Sequence, residues 1–493
     1  MCTNDPFRLD LNTVIAASPM MGHRLEDRSA IREKQDLGLV SRWGEISTIA
    51  LQDASQQDRF VVAPLDVLVS RPEGRPQFHI IEMNGTGIGG ITNMPAHELA
   101  TVVESLRRAA RSAGREGAVL LLAISGKESA ESPRLNKLLH EKLIFAEAMA
   151  DGLRDRFGAA ELVTLSGLNG KTQTMTDGTA TVVIGYIKEL LDACEVDAEG
   201  RVTLHGRDVA GAVNDRFCLN LEDYHGIKLD PEHFTAINGT YVAGADKGAA
   251  YSLLDEYLAH HHSESFPPRV HHVLAHDREE LIDVVLGWLK LGRRTVIKPR
   301  GTGIGHGIEF FLDPHESAEE VIAKIDESLR TTEEYYGLES GALPYTVCEF
   351  VDTAVIEQPE HRLNGHKFEL RVVVYRDGMA LKACPTIAKV AAEAFDEGSA
   401  NRSNLINNIT NSAVTRQSDG TEFMLPLCNE ETLELLGLTV ADLDELCRVA
   451  TSFVKLAVQE IDVMEERMNA GCLRDWPEVG ERPAAQRPLA RAA

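Results

Sequence analysis

Three side chains near the front of the chain have the types and spacing to do chemistry: Asp66, and Glu82 and Asn84 in the run Ile81-Glu82-Met83-Asn84. All three offer hard oxygen donors. Such donors suit Mg²⁺, which is usually held by one or two carboxylates together with phosphate oxygens. The elements that must position them can be read from the alternation around them. Val67 and Val69, then Phe78 and Ile80, flank Pro72-Glu73-Gly74 and predict a β-hairpin with apolar arms and a polar turn. Strand side chains repeat every second residue, so Glu82 and Asn84 are expected on one side, with Asp66 across from them. A solvated acidic hairpin is the competing reading at this point.

A second group lies far downstream. Arg294 to Pro299 reads as a short apolar strand carrying Lys298, and it runs into Gly301-Thr302-Gly303-Ile304-Gly305-His306-Gly307. Glycines at this density let backbone approach a ligand closely and aim N–H groups at anionic oxygens. The segment matches neither GxxxxGK[ST] nor a dinucleotide fingerprint, because Glu309 to Leu312 reads as another strand instead of a helix. A flap between antiparallel strands, with Lys298 at its base, is therefore expected. Beyond it, Tyr345 to Val351 reads as a buried strand with Glu349 in its middle. His366 to Tyr375 alternates Lys367, Glu369 and Arg371 on one face against an apolar face. A salt-bridged, exposed face is the simpler account of those three charges. Asn404 to Asn411 adds a group of amide side chains.

Composition bounds the rest. At 493 residues the chain exceeds one ordinary core, and about two to four compact units are expected. The formal charge of −26 disfavours nucleic acid and anionic membrane, and no basic block overrides it. Eight scattered cysteines form no CxxC pair, which argues for reduced thiols and against a zinc site or disulfide framework. There is no apolar run of roughly eighteen residues and no signal-peptide layout, so a cytoplasmic location is expected. Gly117 to Ile124, a helical pattern from Ser132 to Arg156, and Glu161 to Leu165 predict a βαβ unit, with Ser125 to Glu128 after the first strand as an ordinary turn or a substrate edge. Thr439 and Asp442 predict a helix start. Leu443, Leu446, Val449, Ala450, Phe453, Val454, Ala457 and Ile461 form an apolar stripe for the core or for a second subunit, which leaves room for a homodimer. His260 to His262 and His271-His272 are read as a polar loop, and the tail after Gly471 as disordered.

In their order, the lysine-proline strand, the glycine flap, the Glu strand, the charged strand and the amide cluster resemble the ATP-grasp carboxylate-amine ligases. The run Lys367 to Gly378, followed by Asn407 to Asn411, is most similar to the tubulin-tyrosine-ligase type. That family ends in an Asp strand and a Glu-x-Asn strand, which here stand at the front as Asp66 and Glu82-Met83-Asn84. The shift implies a circular permutation like that of the eukaryotic-type glutathione synthetases, whose metal segment Ile81 to Asn93 also resembles. Further short matches run through Arg201 to Val209, Asn214 to Phe217 and Gly239 to Lys247.

The resemblance implies an α/β (α+β) class, a circularly permuted ATP-grasp fold with an inserted α/β substrate-binding domain. Its parts would be residues 1–110 with the metal hairpin, 111–235 as the inserted domain, 236–425 as the nucleotide lobes and flap, 426–470 as C-terminal helices and 471–493 as the tail. It implies ATP and Mg²⁺ as cofactors, and small-molecule acid and amine substrates such as amino acids or short peptides. Asp66, Glu82 and Asn84 would take the metal. Lys247, Lys298, Gly301, Gly303, Gly305 and Gly307 would take the phosphates. Glu349, Phe350 and Val351 would form the adenine hinge, with Glu369 also at the nucleotide. Arg371 and Lys382 would steady the transferred phosphate, and Arg216 and Arg402 would clamp a substrate carboxylate. Two departures stand out. Arg300-Gly301-Thr302 lacks the acid that the permuted synthetases carry there, so Asp66 or Glu369 replaces that ligand or the metal count differs. Thr86 is the one hydroxyl between Asn84 and Gly90, so the resemblance stops short of glutathione synthesis. An ATP-grasp kinase and a non-catalytic ATP-binding regulator remain as alternatives.

Overall fold

The computed structural model describes residues 31, 33–51, 60–84, 93–124, 135–165, 175–213, 217–239, 247–260, 268–300, 307–336, 343–396, 400, 402–405 and 423–459. The strands in chain order are β1 (Ile49–Ala50), β2 (Val62–Ser70), β3 (Gln77–Met83), β4 (Val119–Ile124), β5 (Ala160–Thr164), β6 (Ala180–Tyr186), β7 (Cys194–Val196), β8 (Val202–Leu204), β9 (Arg207–Val213), β10 (Thr235–Ala236), β11 (His272–Ala275), β12 (Thr295–Pro299), β13 (Glu309–Phe311), β14 (Tyr345–Glu349), β15 (His366–Asp377), β16 (Ala380–Ala394) and β17 (Met424–Pro426). The longest helices are α1 (Ala96–Ala113), α2 (Leu135–Phe157), α3 (Lys247–His260), α4 (Arg278–Lys290), α5 (Ala318–Tyr336) and α6 (Val440–Gln459). This is the mixed α/β (α+β) class. Among the described residues no helix is long and apolar enough to cross a membrane.

The chain divides into two compact units, each assembled from separated segments. The first takes Met1–Pro64, Asn84–Tyr241 and Val373–Thr386. Its core is a sheet in the order β5-β6-β4-β9-β8-β7, parallel through β5, β6, β4 and β9 and antiparallel beyond. The expected strand-helix-strand run over 117–165 is present, but β4 and β5 do not pair; β6 lies between them. The reason lies in composition. β6 (Ala-Thr-Val-Val-Ile-Gly-Tyr) can be buried on both faces, whereas β5 carries Glu161 and suits an edge. Helices α1 and α2 pack closely, with Gly152 directly on the carbonyl of Arg107. Asn238, at φ 63°, accepts from the N–H groups of Val61 and Val62 at 2.7 and 3.0 Å and donates back to the Val62 carbonyl at 2.8 Å, which anchors the start of β2.

The second unit takes Leu65–Met83, Val242–Val372 and Ile387–Ala493. The predicted hairpin is there. β2 and β3 pair antiparallel through Val69↔Phe78 and Asp66↔Glu82, and the turn at Pro72–Gly74 uses positive φ at Glu73 and Gly74. An antiparallel sheet in the order β11-β14-β12-β13 carries the lysine strand and its partner, as expected. Leu281, Val285 and Trp288 of α4 and Val321 and Ile325 of α5 bury against Ile297, Phe311 and Val347 of that sheet. At the start of α6, Thr439 Oγ1 and its N–H both donate to Asp442, whose N–H returns a bond to Thr439 Oγ1, the reciprocal cap that the sequence predicts. Leu443, Leu446, Ala450, Phe453, Val454 and Ala457 are buried within the chain itself, so a second subunit is not needed to cover that stripe. Val449 is half-buried, and Ile461 lies outside the described residues.

One correction concerns the histidines. His272 is not in a polar loop; it opens β11, is 1% exposed and pairs with Cys348 in the ladder. The local composition reads as polar, but β14 offers a free ladder edge that makes a strand of it.

A Cβ at Gly152 would lie 2.3 Å from the Arg107 carbonyl oxygen, while one at Gly287 in α4 would meet nothing within 4 Å. Gly152→Ala should destabilise by about 1–3 kcal/mol through overpacking, and Gly287→Ala should stabilise by roughly 0.5–1 kcal/mol. Urea unfolding of the two variants checks the contrast.

Candidate functional site

The charged strand organises the second unit. On β15, Phe368, Leu370 and Val372 are fully buried, as the alternation requires. The opposite face is not solvated, contrary to the simpler account of it. Lys367 is 1% exposed and Arg371 6%, so each charge must be met by another. Arg371 grips Asp66 with two bonds, Nε to Oδ1 at 2.8 Å and Nη2 to Oδ2 at 2.7 Å. Lys389, from the neighbouring β16, reaches Asp66 Oδ1 at 3.3 Å and also pairs with Glu369. Lys367 donates to the Thr353 carbonyl at 3.0 Å and to Thr353 Oγ1 at 3.1 Å, and lies 3.4 Å from Asp352. Burial alone would push the Asp66 carboxyl up. The Arg371 guanidinium and then the Lys389 ammonium outweigh it and hold the group well below the usual carboxylate range.

The hairpin delivers Asp66 opposite Glu82, with a bulge immediately after Asp66. Glu82 is met by Lys247, the first residue of α3, at 3.2 Å. Its side chain keeps 18% exposure, and it has no other partner among the described residues. Lys298, on β12, is different. It is 9% exposed and donates to Tyr251 Oη at 2.7 Å, with its ammonium 5.1 Å from that ring's centre. No carboxylate among the described residues pairs with it. Around it Tyr251, Val270, Val296 and Cys348 form an apolar cluster, with Ile81, Ile308, Phe310, Phe350 and Val351 packed on it. Burial raises the Tyr251 hydroxyl well above its ordinary value, so it stays a neutral acceptor for the ammonium.

The expected hinge follows directly. Glu349 ends β14 instead of sitting at its centre, since the ladder with β11 and β12 stops there. Its N–H donates to the His271 carbonyl and its Oε1 accepts from the His271 N–H, both at 3.0 Å. The Phe350 N–H donates to the Arg294 carbonyl at 2.9 Å, and the Arg294 guanidinium lies 4.9 Å from the Phe350 ring centre. The amides of Glu349 and Phe350 are thus already engaged. Gly307 has φ +70°, and a Cβ there would come within 2.3 Å of Thr332 Oγ1. Gly301, Gly303, Gly305 and Arg216 lie outside the described residues, as do Ser125 to Glu128 and Ile406 to Asn411. Arg402 opens the short helix Arg402–Leu405, but its side chain is not described. Lys382 belongs to the first unit, where it pairs with Asp377 at 2.7 Å. Asn84 also belongs to the first unit; it is buried, and its N–H donates to the Pro64 carbonyl at 2.8 Å.

The set Asp66, Glu82 and Asn84 is only partly suited to a divalent cation. Glu82 keeps an oxygen without a protein partner among the described residues, which fits. Asp66 has both oxygens engaged by cations, which does not. Among the described residues no group of three His, Cys, Asp or Glu side chains is arranged to hold a metal. Sequence reading overlooked Lys389 and Tyr251. Lys389 had a signal, since it is the one charge within Ile387-Ala388-Lys389-Val390-Ala391, and a charge in so apolar a strand needs a partner. Tyr251 had none, since it is one apolar position of an ordinary helix.

Asp66→Asn should destabilise the fold by about 3–5 kcal/mol, because it leaves Arg371 buried without its carboxylate. The double variant with Arg371→Met should cost well under the sum of the singles, measured by urea unfolding as a double-mutant cycle. A second expectation concerns acid. Burial lowers His79 and His272 from 6.5 to about 4. Their folded pKa values lie below the unfolded one, so the unfolded chain binds more protons between these limits. Stability is then full above pH 6.5 and declines as pH falls toward 4, by on the order of 3 kcal/mol for each histidine. His272→Phe should flatten that decline; equal slopes in both proteins would refute the assignment.

No protein-family model matches the chain, and no curated protein sequence matches it. Solved structures are similar to it, among them these two. One is a glutathione synthetase-like effector from Globodera pallida, at 14% identity and a TM-score of 0.33 over 77% of this chain and 87% of that one. The other is D-alanyl-alanine synthetase A from Vibrio cholerae O1, at 9% identity and a TM-score of 0.28 over 58% of this chain and 72% of that one. Likeness at this level decides neither the fold family nor the activity.

Proposed function

We propose that the chain is an ATP-dependent carboxylate-amine ligase of circularly permuted ATP-grasp type, acting on amino acids or short peptides. The observation that carries this reading is Lys298, a buried ammonium without a carboxylate partner among the described residues, at the base of a glycine-rich segment joining two antiparallel strands. A buried cation is costly unless an anion meets it. A nucleotide phosphate would supply that anion, and the apolar cluster beside Tyr251 and Phe350 would face its base. Lys247 adds a second cation, paired with Glu82 at 3.2 Å.

In this mechanism the substrate carboxylate attacks the γ-phosphorus of ATP, giving an acyl phosphate and ADP. The amine then attacks the acyl carbon, the amide forms and phosphate leaves. The chain's part is to position the reactants and stabilise charge. Lys247 and Lys298 hold the phosphates with the glycine segment, and Glu349 to Val351 line the base. Glu369, and Arg371 held in one orientation by Asp66, lie on the strand that faces the transfer, with Lys382 as a further candidate for the phosphate. Arg216 and Arg402 are the candidates for clamping the substrate carboxylate, because a guanidinium matches it in bidentate fashion. Mg²⁺ carried with ATP would neutralise phosphate charge, and Glu82 and Asn84 are the oxygens offered to it. The five-part division over 1–110, 111–235, 236–425, 426–470 and 471–493 belongs to the same proposal. The described cysteines are free and buried, which supports a reducing compartment such as the cytoplasm.

Lys298→Met should weaken binding of a non-hydrolysable ATP analogue at least ten-fold, by calorimetry. It should leave fold stability unchanged or raised, because an unpaired buried charge is removed. Phosphate release by the wild type should require an acid and an amine together. Phosphate retained on a product with no amine present would instead mark a kinase.

A further inference from the structure

Side chains from three neighbouring strands meet at Lys389. Asp66 comes from β2, Glu369 and Arg371 from β15, and Lys389 from β16. The Lys389 ammonium pairs with Glu369 and lies 3.3 Å from Asp66 Oδ1, while Arg371 takes both oxygens of Asp66. All four side chains are 7–12% exposed. Among the described residues, two carboxylates and two cations pair with one another there, in a place largely closed to water. Two carboxylates converging on one point is what a divalent ion would need, with oxygens at about 2.1 Å for Mg²⁺. Here an ammonium fills the point. A divalent ion added beside the Lys389 ammonium and the Arg371 guanidinium would place further positive charge in a site largely closed to water, which is costly.

We infer that Lys389 is a built-in cation standing where a second divalent ion would bind, so that Asp66 and Glu369 are not metal ligands in this chain. The nucleotide site would then use a single divalent ion, offered to Glu82, and Lys389 acts as a positioning residue that keeps Glu369 and the Asp66–Arg371 pair in place. This rests on the ligase reading only for its nucleotide arm.

Mn²⁺ counted by electron paramagnetic resonance tests the inference. With a non-hydrolysable ATP analogue the wild type should bind one ion per chain. Lys389→Met, which frees two carboxylates against the single charge of Arg371, should bind one more, and Lys389→Arg should bind as the wild type does. Without nucleotide, Lys389→Met should bind Mn²⁺ at least ten-fold more tightly than the wild type. Two ions in the wild type, or no gain in the methionine variant, would overturn the inference while leaving the ligase reading intact. If the methionine variant does not fold, the wild-type count decides. Absence of nucleotide binding would remove the ligase reading, and the nucleotide-free measurement would still decide the role of Lys389.

Discussion

The second unit depends on the burial of three charges on one face of β15. Lys367, Glu369 and Arg371 sit opposite Phe368, Leu370 and Val372, and both faces are closed to water. A strand of this kind holds only if each charge has a counterpart of the right sign within reach, since an uncompensated one costs several kcal/mol by the usual estimate of about 3–5. Asp352, Lys389 and Asp66 are those counterparts. The hairpin register and the bulge after Asp66 serve that requirement, because a slip of one residue would turn Asp66 to the other face and strand Arg371.

Neutralised and unneutralised cations do different work. Arg371, Lys389 and Lys367 are each met by a fixed partner, which holds their side chains in one orientation. Lys247 is matched by a carboxylate that still has capacity to bind something else. Lys298 is held, among the described residues, by a neutral hydroxyl and a ring face. The gradient from saturated to unsaturated charge runs through residues of one unit, and its unsaturated end is where an anionic ligand would be most strongly attracted.

Burial also sets what the neutral groups can do. His272 and Tyr251, with ring centres 5.0 Å apart and planes tilted by 32°, are both driven toward their uncharged forms by the same exclusion of water. The ammonium of Lys298 is therefore held directly by a neutral hydroxyl, with the carboxylates of Glu82 and Glu349 near enough to act on that hydroxyl without pairing with the ammonium.

Periodicity and turn chemistry were enough to place the hairpin over Asp66 and Glu82, the antiparallel pair on either side of the glycine segment, the reciprocal cap at Thr439 and the apolar stripe of α6. These are local patterns, in which neighbouring residues constrain one another through backbone geometry. The same patterns could not say that β6 separates β4 from β5, that His272 joins a ladder, or that the charged face of β15 is buried. Those outcomes turn on which strands become neighbours. Asp66 and Arg371 stand 305 residues apart, and nothing in the composition of either segment names the other. Lys389 was invisible as a member of the group for the same reason: its partners come from two other strands, and only the packing of all three brings two carboxylates onto one ammonium. Residue types set which charges would need a partner. Tertiary register decided which partner each one found, because an ion pair is chosen by distance in space and the chain's order carries no record of that distance.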